Sequence, residues 1–390
     1  MEPPIVYLAQ GRLFYRNNGT AELIESQYGQ DVMKRALERQ AKNEWKTAGG
    51  SSAALYSRGS LWGADNGAST VVKISSVVRG QSENELLYVV ATDSVGGLFK
   101  YDVQSKKETR IFHKEKLWLS DLSRQPGGEM IACGKRMPNA TSRLAVIRGQ
   151  DVSEVTEGDS VDEAPSWIPG AGNKLLFQSA GVGRNQNGVM IGIGHASIQK
   201  LDLDSGSITT VLENESFDFL TPRQNQNGDL FFIRRPYESG VNKPYPLSKM
   251  FLDVVLFPFR LGRALFHFLN FFSISFSKKP LTTASGPKVE GPDEKTLFLR
   301  GRMIDTQKFI EEQGKNNEVS SLVPKNWQLV KRTSDGKETV LADSVLYYDF
   351  DAEGNLLYTT GMSVFRMDTS GNGKMLVFKD KLVDTVVVLN

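Results

Sequence analysis

Residues Asp162 to Gln178 read DEAPSWIPGAGNKLLFQ, and this stretch is the clearest copy of a pattern that recurs along the chain. An apolar segment, Ala164 to Ile168, is followed by a turn rich in proline and glycine and then by a second apolar segment, Lys174 to Gln178. Two short apolar runs on either side of such a turn are typical of a β-hairpin. The pattern therefore predicts two antiparallel strands in this stretch.

The same stretch resembles the blade repeat of TolB-like and WD-like β-propellers. That repeat runs Asp-x-x-Pro-x-Trp-Ser-Pro-Asp-Gly, continues into an apolar strand, and ends in an Asp-x-x-(Ser/Thr)-Gly hairpin. The residues that match it are Asp162, Pro165, Trp167 and Pro169, followed downstream by Asp202, Asp204, Ser205 and Gly206. The resemblance implies an all-β propeller, and it is most specific in the fourth, fifth and sixth repeats.

The repeats predict an all-β propeller of about six four-stranded blades that occupies 1–390 as a single domain. The first repeat has only three strands, Ile5 to Ala9, Arg12 to Asn17 and Thr20 to Glu25, whereas Asp384 to Leu389 is an isolated apolar strand at the other end. We expect the last strand to complete the first blade. Such closure removes free sheet edges, which would otherwise invite aggregation.

Composition limits the classes of function. The formal net charge of +2 over 390 residues argues against a global field that attracts nucleic acid. Cys133 is the only cysteine, which excludes an intramolecular disulfide and a zinc site built from cysteines. The N-terminal sequence MEPPIVYLAQGRLFYR lacks the charged and apolar regions of a secretory leader, so we expect a cytoplasmic protein.

A helical insertion is predicted over 26–50, after the first blade. Apolar residues fall near helical spacing between Ser26 and Lys46, and Glu38 with Lys42 forms an i,i+4 pair. One interpretation is a helix that packs on the propeller. The other is a helix that docks a partner protein through Val32, Arg35, Leu37 and Trp45.

A second insertion, over 237–296, interrupts the fifth blade. Its centre, Lys249 to Ser277, reads KMFLDVVLFPFRLGRALFHFLNFFSISFS and is unusually rich in phenylalanine. On a helix, its few polar residues would form one narrow stripe and apolar residues would cover the remainder. The predicted membrane or partner interface consists of Phe251, Leu252, Leu256, Phe257, Phe259, Arg260, Leu261, Arg263, Leu265, Phe266, Phe268, Leu269, Phe271 and Phe272.

Three interpretations of this insertion remain open. A basic stripe beside a broad apolar face is typical of a helix that lies in the headgroup region of an anionic membrane. A helical hairpin buried against the propeller or by another subunit would cover the same apolar surface. A bilayer-crossing helix has enough length, but Pro258, Arg260 and Arg263 lie inside it. Arg234, Arg235, Arg300 and Arg302 flank the insertion and are candidates for contacts with phosphate headgroups.

No catalytic or metal-binding motif is recognised. His113, His195 and His267 belong to no paired-ligand motif, and no nucleophile elbow of the Gly-x-Ser-x-Gly type occurs. Asp349, Asp351, Glu353 and Gly354 resemble the first half of a calcium loop, but Thr360 stands where such a loop needs an acid. We therefore interpret this segment as a hairpin turn, and we predict no cofactor.

The sequence favours a non-enzymatic protein-interaction scaffold, held peripherally on the cytoplasmic face of the inner membrane by the phenylalanine-rich insertion. The expected partners are other proteins and an anionic lipid surface, with no nucleic acid. One alternative is a subunit of a larger complex in which a partner buries the insertion. Another is a ligand-binding or enzymatic propeller, whose site would lie at the mouth of the central channel, where loops converge.

Overall fold

The computed structural model describes residues 3–35, 38, 72–92, 95–238, 296–299, 302–305 and 321–389. The chain divides into two compact units. The larger comprises Met1–Glu238 and Phe309–Asn390, and the smaller comprises Ser239–Lys308. In the smaller unit, the described backbone forms one antiparallel hairpin, β19 (Thr296–Leu299) and β20 (Arg302–Asp305).

The larger unit consists of antiparallel meanders of four strands, in which each strand pairs with the next one along the chain. The first contains β1 (Ile5–Ala9), β2 (Arg12–Asn17) and β3 (Thr20–Ile24), joined by β27 (Val383–Val388) from the other end of the chain. The second contains β4 (Lys73–Arg79), β5 (Glu85–Ala91), β6 (Val95–Asp102) and β7 (Lys107–Glu115).

The third and fourth meanders are joined into one nine-stranded sheet by a single parallel bridge between Ser142 and Val161. The third contains β8 (Trp118–Arg124), β9 (Ile131–Arg136), β10 (Ser142–Arg148) and β11 (Asp151–Glu154). The fourth contains β12 (Ser160–Trp167), β13 (Lys174–Arg184), β15 (Ser197–Asp202) and β16 (Ser207–Leu212), and β14 (Met190–Ile193) pairs with the far end of β13.

The fifth meander contains β17 (Phe217–Gln224), β18 (Leu230–Pro236), β21 (Gln328–Arg332) and β22 (Glu338–Ala342). The sixth contains β23 (Tyr347–Phe350), β24 (Leu356–Thr359), β25 (Ser363–Met367) and β26 (Met375–Lys379). These strands lie close to the positions that the apolar pattern predicts.

The predicted pairing of the first and last strands is confirmed. Residue Ile5 of β1 lies opposite Val388 of β27, and Tyr7 lies opposite Val386. All five residues of β1 are buried, because Val6 and Leu8 pack with the second meander on one face and Ile5, Tyr7 and Ala9 pack with the sixth meander on the other. The hydroxyl of Tyr7 also donates a hydrogen bond of 2.8 Å to Asp380, so the two ends of the chain are held together by side chains as well.

The hydrophobic core lies between the faces of neighbouring meanders. Residues Tyr88 and Phe99 of the second meander pack with Val6 and Leu13 of the first. In the same way, Phe231 and Ile233 of the fifth meander pack with Tyr348 and Tyr358 of the sixth. Alternate side chains of a strand point to opposite faces, so each central strand contributes to two of these layers.

The stretch Asp162 to Gln178 does form a hairpin, but its first strand differs from the prediction. Strand β12 begins at Ser160 and contains a bulge, in which Ala164 and Pro165 lie between the paired residues Glu163 and Ser166. Residue Ala164 has a left-handed backbone, with φ of 51°. An extra residue in one strand of an antiparallel pair produces such a kink, which apolar alternation does not predict.

A helix covers 27–35, and the rest of the predicted helical insertion lies outside the described residues. Ser26 caps it, since Gly29 N–H donates to the Ser26 hydroxyl at 3.1 Å. Of the predicted docking residues, Val32 is half-buried and Arg35 is exposed, whereas Leu37 and Trp45 lie outside the part of the chain that the structure describes.

The second insertion leaves the fifth meander after β18 and returns before β21. These two strands are paired directly, with Arg234 opposite Gln328, so the intervening 237–327 do not interrupt the sheet. All fourteen residues of the predicted membrane or partner interface lie outside the described ranges. Within those ranges, no helix is both long and apolar enough to cross a bilayer.

Candidate functional site

One edge strand of each of the six meanders lines the same cavity, which has a volume of about 470 Å³. Each of these strands, β4, β8, β12, β17, β23 and β27, forms one edge of its own meander. They contribute Arg79, Arg124, Trp167, Arg223, Asp349 and Val387 to the cavity wall. We call the cavity the channel mouth.

The repeat places long side chains on the rim of the channel mouth. Residues Arg79, Arg124, Trp167 and Gln224 are each the last paired residue of their strand, opposite Leu86, Ile131, Leu175 and Leu230. A tight turn follows each of them. One repeated backbone position therefore supplies cationic, aromatic and amide groups to the same opening.

Two arginines of the channel mouth donate hydrogen bonds to backbone carbonyl groups. Arg79 donates to Phe350 O at 3.2 Å, and Arg124 donates to Gly80 O at 3.1 Å and to Gly128 O at 2.9 Å. Among the residues that the structure describes, no carboxylate forms an ion pair with either guanidinium. Carbonyl groups fix the positions of these side chains but do not neutralise their charge, so both guanidinium groups favour an anion in the cavity, which the acids Glu83 and Asp349 also line.

The third arginine of the channel mouth, Arg223, has an acidic partner. Its guanidinium lies 3.1 Å from Asp349, a buried carboxylate, and donates to the hydroxyl of Tyr347 at 2.8 Å. Burial alone would lower the pKa of Arg223, but the nearby Tyr347 and Asp349 outweigh that effect and raise it. Arg223 therefore remains charged and orders the aromatic side of the wall.

The path inward from the channel mouth is narrow, because three of these edge strands, β8, β12 and β17, carry the same bulge. Residues Asp121, Ala164 and Thr221 all have left-handed backbones, with φ of 48°, 51° and 52°. They line a cavity of only about 10 Å³ below the mouth. Near the other ends of these strands lies a second, open cavity of about 730 Å³, lined by residues that include Lys73, Trp118 and Arg136.

The histidines singled out in the sequence do not form a site in the described residues. The ring of His113 lies 5.7 Å from that of Tyr28. His195 Nε2 lies 3.1 Å from Glu213, and its ring contacts that of Tyr237 edge to face. His267 lies outside the described ranges. Within those ranges, no cluster of three histidine, cysteine or acidic side chains is suited to a metal ion.

The calcium-like segment is a hairpin turn, as interpreted. Asp351 Oδ1 accepts a hydrogen bond of 2.7 Å from Asn355 N, which closes the turn between β23 and β24. Arg366 forms ion pairs with both Asp351 and Glu353. These carboxylates are therefore occupied by the turn and by a neighbouring strand.

Two of the arginines proposed to contact lipid have partners within the fifth meander. Arg235 is buried, forms an ion pair of 2.8 Å with Asp218, and lies over the ring of Trp327. The proposal is wrong for Arg235, because a buried guanidinium does not reach headgroups. Arg234 forms an ion pair of 3.1 Å with Glu338 and donates to Gln328. The side chains of Arg300 and Arg302 lie outside the described part of the chain.

Sequence reasoning placed an alternative site at the channel mouth but did not name its residues. The residue immediately before each hairpin turn is the signal that could have identified them. Aligning LSRQPGG with PSWIPGA brings Arg124 opposite Trp167, and the structure places both at the rim. The mouth carries arginine and aromatic side chains together with two acids, Glu83 and Asp349.

Comparison with solved structures identifies the architecture. The chain is similar to TolB from Acinetobacter baumannii, with a TM-score of 0.52 and 10% identity, over 99% of this chain and 66% of that one. The chain has the fold of a TolB-like β-propeller. At this identity the similarity concerns the fold alone, and the chain spans just under two thirds of the TolB chain.

Two other similar structures have lower TM-scores. They include a chain of a nidogen/laminin complex, at 8% identity and a TM-score of 0.49 over 100% of this chain and 99% of that one. The tricorn protease has 9% identity and a TM-score of 0.48, over 99% of this chain and 34% of that one. No protein-family model matches the propeller chain, and no curated sequence is similar to it.

Proposed function

We propose that this six-bladed propeller is a non-enzymatic scaffold that binds an acidic segment of a partner protein at the channel mouth. The observation that carries the proposal is the pair Arg79 and Arg124, whose guanidinium groups are held by backbone carbonyls without a carboxylate in ion-pair contact. Trp167 also lines this cavity, although its side chain is largely buried. Cationic and aromatic side chains together are typical of protein-binding surfaces.

Peptide binding tests this proposal directly. The probe is a labelled twelve-residue peptide rich in Glu and Asp, compared with a peptide in which each acid is replaced by Lys, and binding is measured by fluorescence anisotropy. We expect the acidic peptide to bind and its affinity to fall with added salt. Either substitution, Arg79→Gln or Arg124→Gln, should weaken binding by about tenfold, the effect of losing one charge-assisted hydrogen bond.

Arg136→Gln is the matched control, because Arg136 lines the second cavity rather than the channel mouth. Its affinity for the acidic peptide should equal that of the unaltered protein. Thermal unfolding of each variant checks that the fold is intact, which matters most for Arg124 with its two backbone contacts. Equal binding of the acidic and basic peptides, or equal weakening by Arg136→Gln, would contradict the proposal.

We further propose that the phenylalanine-rich insertion attaches this scaffold to the cytoplasmic face of an anionic membrane. The support is the sequence of Lys249 to Ser277, with its apolar residues and basic stripe. Because β18 and β21 pair directly, a variant lacking 249–279 keeps the register of the fifth meander. Flotation with anionic and neutral liposomes should recover the intact protein, mainly with anionic lipid, and not the deletion variant. If the intact protein does not float but binds a protein partner that the deletion variant cannot bind, this would instead favour burial of the insertion by another subunit.

A further inference from the structure

The outer edge strand of the fourth meander differs from the corresponding strands of the other five. Each outer strand has a neighbour on one side only among the described residues. Charged residues occur in five of them, for example Glu22 in β3, Lys107 in β7, Asp151 in β11, Glu338 in β22 and Lys379 in β26. The sixth, β16, reads SITTVL and contains no charge.

Charged side chains on an exposed edge protect a sheet from pairing with another strand. Strand β16 lacks that protection, and four of its six residues, Ile208 to Val211, are β-branched and favour extended structure. The side chains of Ile208 and Val211 are 49% and 39% exposed. Within the described part of the chain, β16 pairs with β15 and with no other strand.

The same meander carries most of the exposed apolar surface. Eleven large hydrophobic side chains are exposed in the described residues, and six of them belong to the fourth meander. Besides Ile208 and Val211, these are Val189, Met190, Ile191 and Ile193, which lie in and beside β14. No charged residue occurs from 185 to 194. An uncharged edge and an apolar surface therefore coincide on one blade.

We propose that β16 pairs in antiparallel fashion with β16 of a second copy of this chain, which makes one sheet continuous across a two-fold axis. In a two-fold interface the same surface of both copies is in contact, so every charged residue of the paired strand occurs twice in the new sheet. Like charges that face each other across strands are destabilising. Of the outer strands described, β16 is the one that escapes this penalty, which favours a second copy as its partner.

The oligomeric state and one substitution test the proposal. Full-length protein is analysed by sedimentation over a range of concentrations, and we expect a monomer–dimer equilibrium. Thr209→Lys adds a charge to an exposed position of β16 and should raise the dimer dissociation constant by about tenfold or more. The control is Thr339→Lys in β22. Thr339 is exposed and lies opposite Lys331, just as Thr209 is exposed and lies opposite Lys200, so each substitution places a lysine opposite a lysine of the neighbouring strand.

Crosslinking locates the interface. Because Cys133 is the only cysteine and is buried, Thr209→Cys introduces a single accessible thiol. We expect Thr209→Cys to form a disulfide-linked dimer under mild oxidation, whereas Thr339→Cys should not. A monomer at all concentrations would overturn the proposal. So would a dimer that survives Thr209→Lys, or one that Thr339→Lys weakens equally.

Discussion

At the scale of single residues, Glu108 joins three elements of the first two blades. Its carboxylate accepts hydrogen bonds from Gln27 N at 2.7 Å, from Tyr28 N at 3.3 Å and from the hydroxyls of Ser26 and Tyr88. The backbone N–H groups at the start of a helix have no partners within the helix, and a negative charge stabilises them. One acidic side chain on β7 thus fixes the start of helix 27–35.

Replacing this acid with an amide should destabilise the protein. For Glu108→Gln we expect a loss of about 2 kcal/mol in the free energy of unfolding, because an amide carries no charge and presents one acceptor oxygen to several donors. Urea denaturation measures the loss, and limited proteolysis near residue 35 reports on the helix. The control is Glu115→Gln on the same strand, at an exposed position. An unchanged urea midpoint for Glu108→Gln would contradict the assigned role.

A second residue-scale prediction concerns the buried pair of Asp218 and Arg235. Asp218 also accepts a hydrogen bond of 3.0 Å from Ala196 N, so its carboxylate links the fourth blade to the fifth. Removing one partner leaves the other charge buried without its counterion, which costs about 3 kcal/mol or more. Asp218→Asn should therefore lower the thermal midpoint strongly. By comparison, Asp159→Asn removes an exposed partner of Arg184 and should leave the midpoint almost unchanged.

At the scale of elements, the repeated bulge is the feature that shapes the channel. Thr221 is its most strained member, because a β-branched residue rarely adopts a φ of 52°. Its backbone is held from two sides, by Gln178 Oε1 and by the hydroxyl of Tyr348. Its own hydroxyl is buried and has no hydrogen-bond partner in the described structure. The geometry of the bulge is thus imposed by neighbouring blades rather than preferred by the residue.

Thr221→Gly should accordingly stabilise the protein. Relief of the left-handed strain and loss of the unsatisfied hydroxyl outweigh the entropy cost of glycine, for a net gain of about 1 kcal/mol. Thr359→Gly provides the contrast. Thr359 is buried in β24, and its hydroxyl donates to Val383 O at 3.0 Å, so the same substitution there should destabilise. Equal losses at both positions in urea denaturation would refute the argument from strain.

The sequence predicts the elements better than it predicts their irregularities. Short apolar runs located β1 to β3 within a residue, because the turns at Gln10-Gly11 and Asn18-Gly19 separate the three strands. The bulges were missed, since Ala164 and Thr221 carry no local signal for a left-handed backbone. The site was missed for a similar reason. The Arg79–Phe350 contact joins residues far apart in the chain, which only the tertiary fold brings together.

At the scale of the whole molecule, the core contains tyrosines and a cysteine that resist ionisation. Burial raises the pKa of Tyr88, Tyr348 and Tyr358, and it raises the pKa of Cys133 to about 12. Above about pH 9 the unfolded chain releases these protons while the folded protein retains them. Because the folded state then binds more protons, stability should fall as the pH rises beyond that point.

Urea denaturation at pH 7, 9 and 10.5 measures this effect, and Tyr358→Phe isolates one contribution. The hydroxyl of Tyr358 is buried and has no hydrogen-bond partner among the described residues, so its removal should not lower stability at pH 7. Above pH 10 the free energy of unfolding should fall less steeply for the variant than for the unaltered protein, by up to about 1.4 kcal/mol per pH unit. If both proteins have the same pH dependence, the tyrosine does not titrate on unfolding.

The partnership of β1 with β27 also sets the order of events during synthesis. Of the described strands, β1 is synthesised first, whereas β27, its neighbour on one side, is synthesised last. Until then the apolar sequence IVYLA has one unpaired edge, which is a template for incorrect pairing. During synthesis β1 therefore keeps an unpaired edge for longer than the strands whose neighbours follow directly in the chain, and termination before Val383 leaves β1 without its neighbour β27.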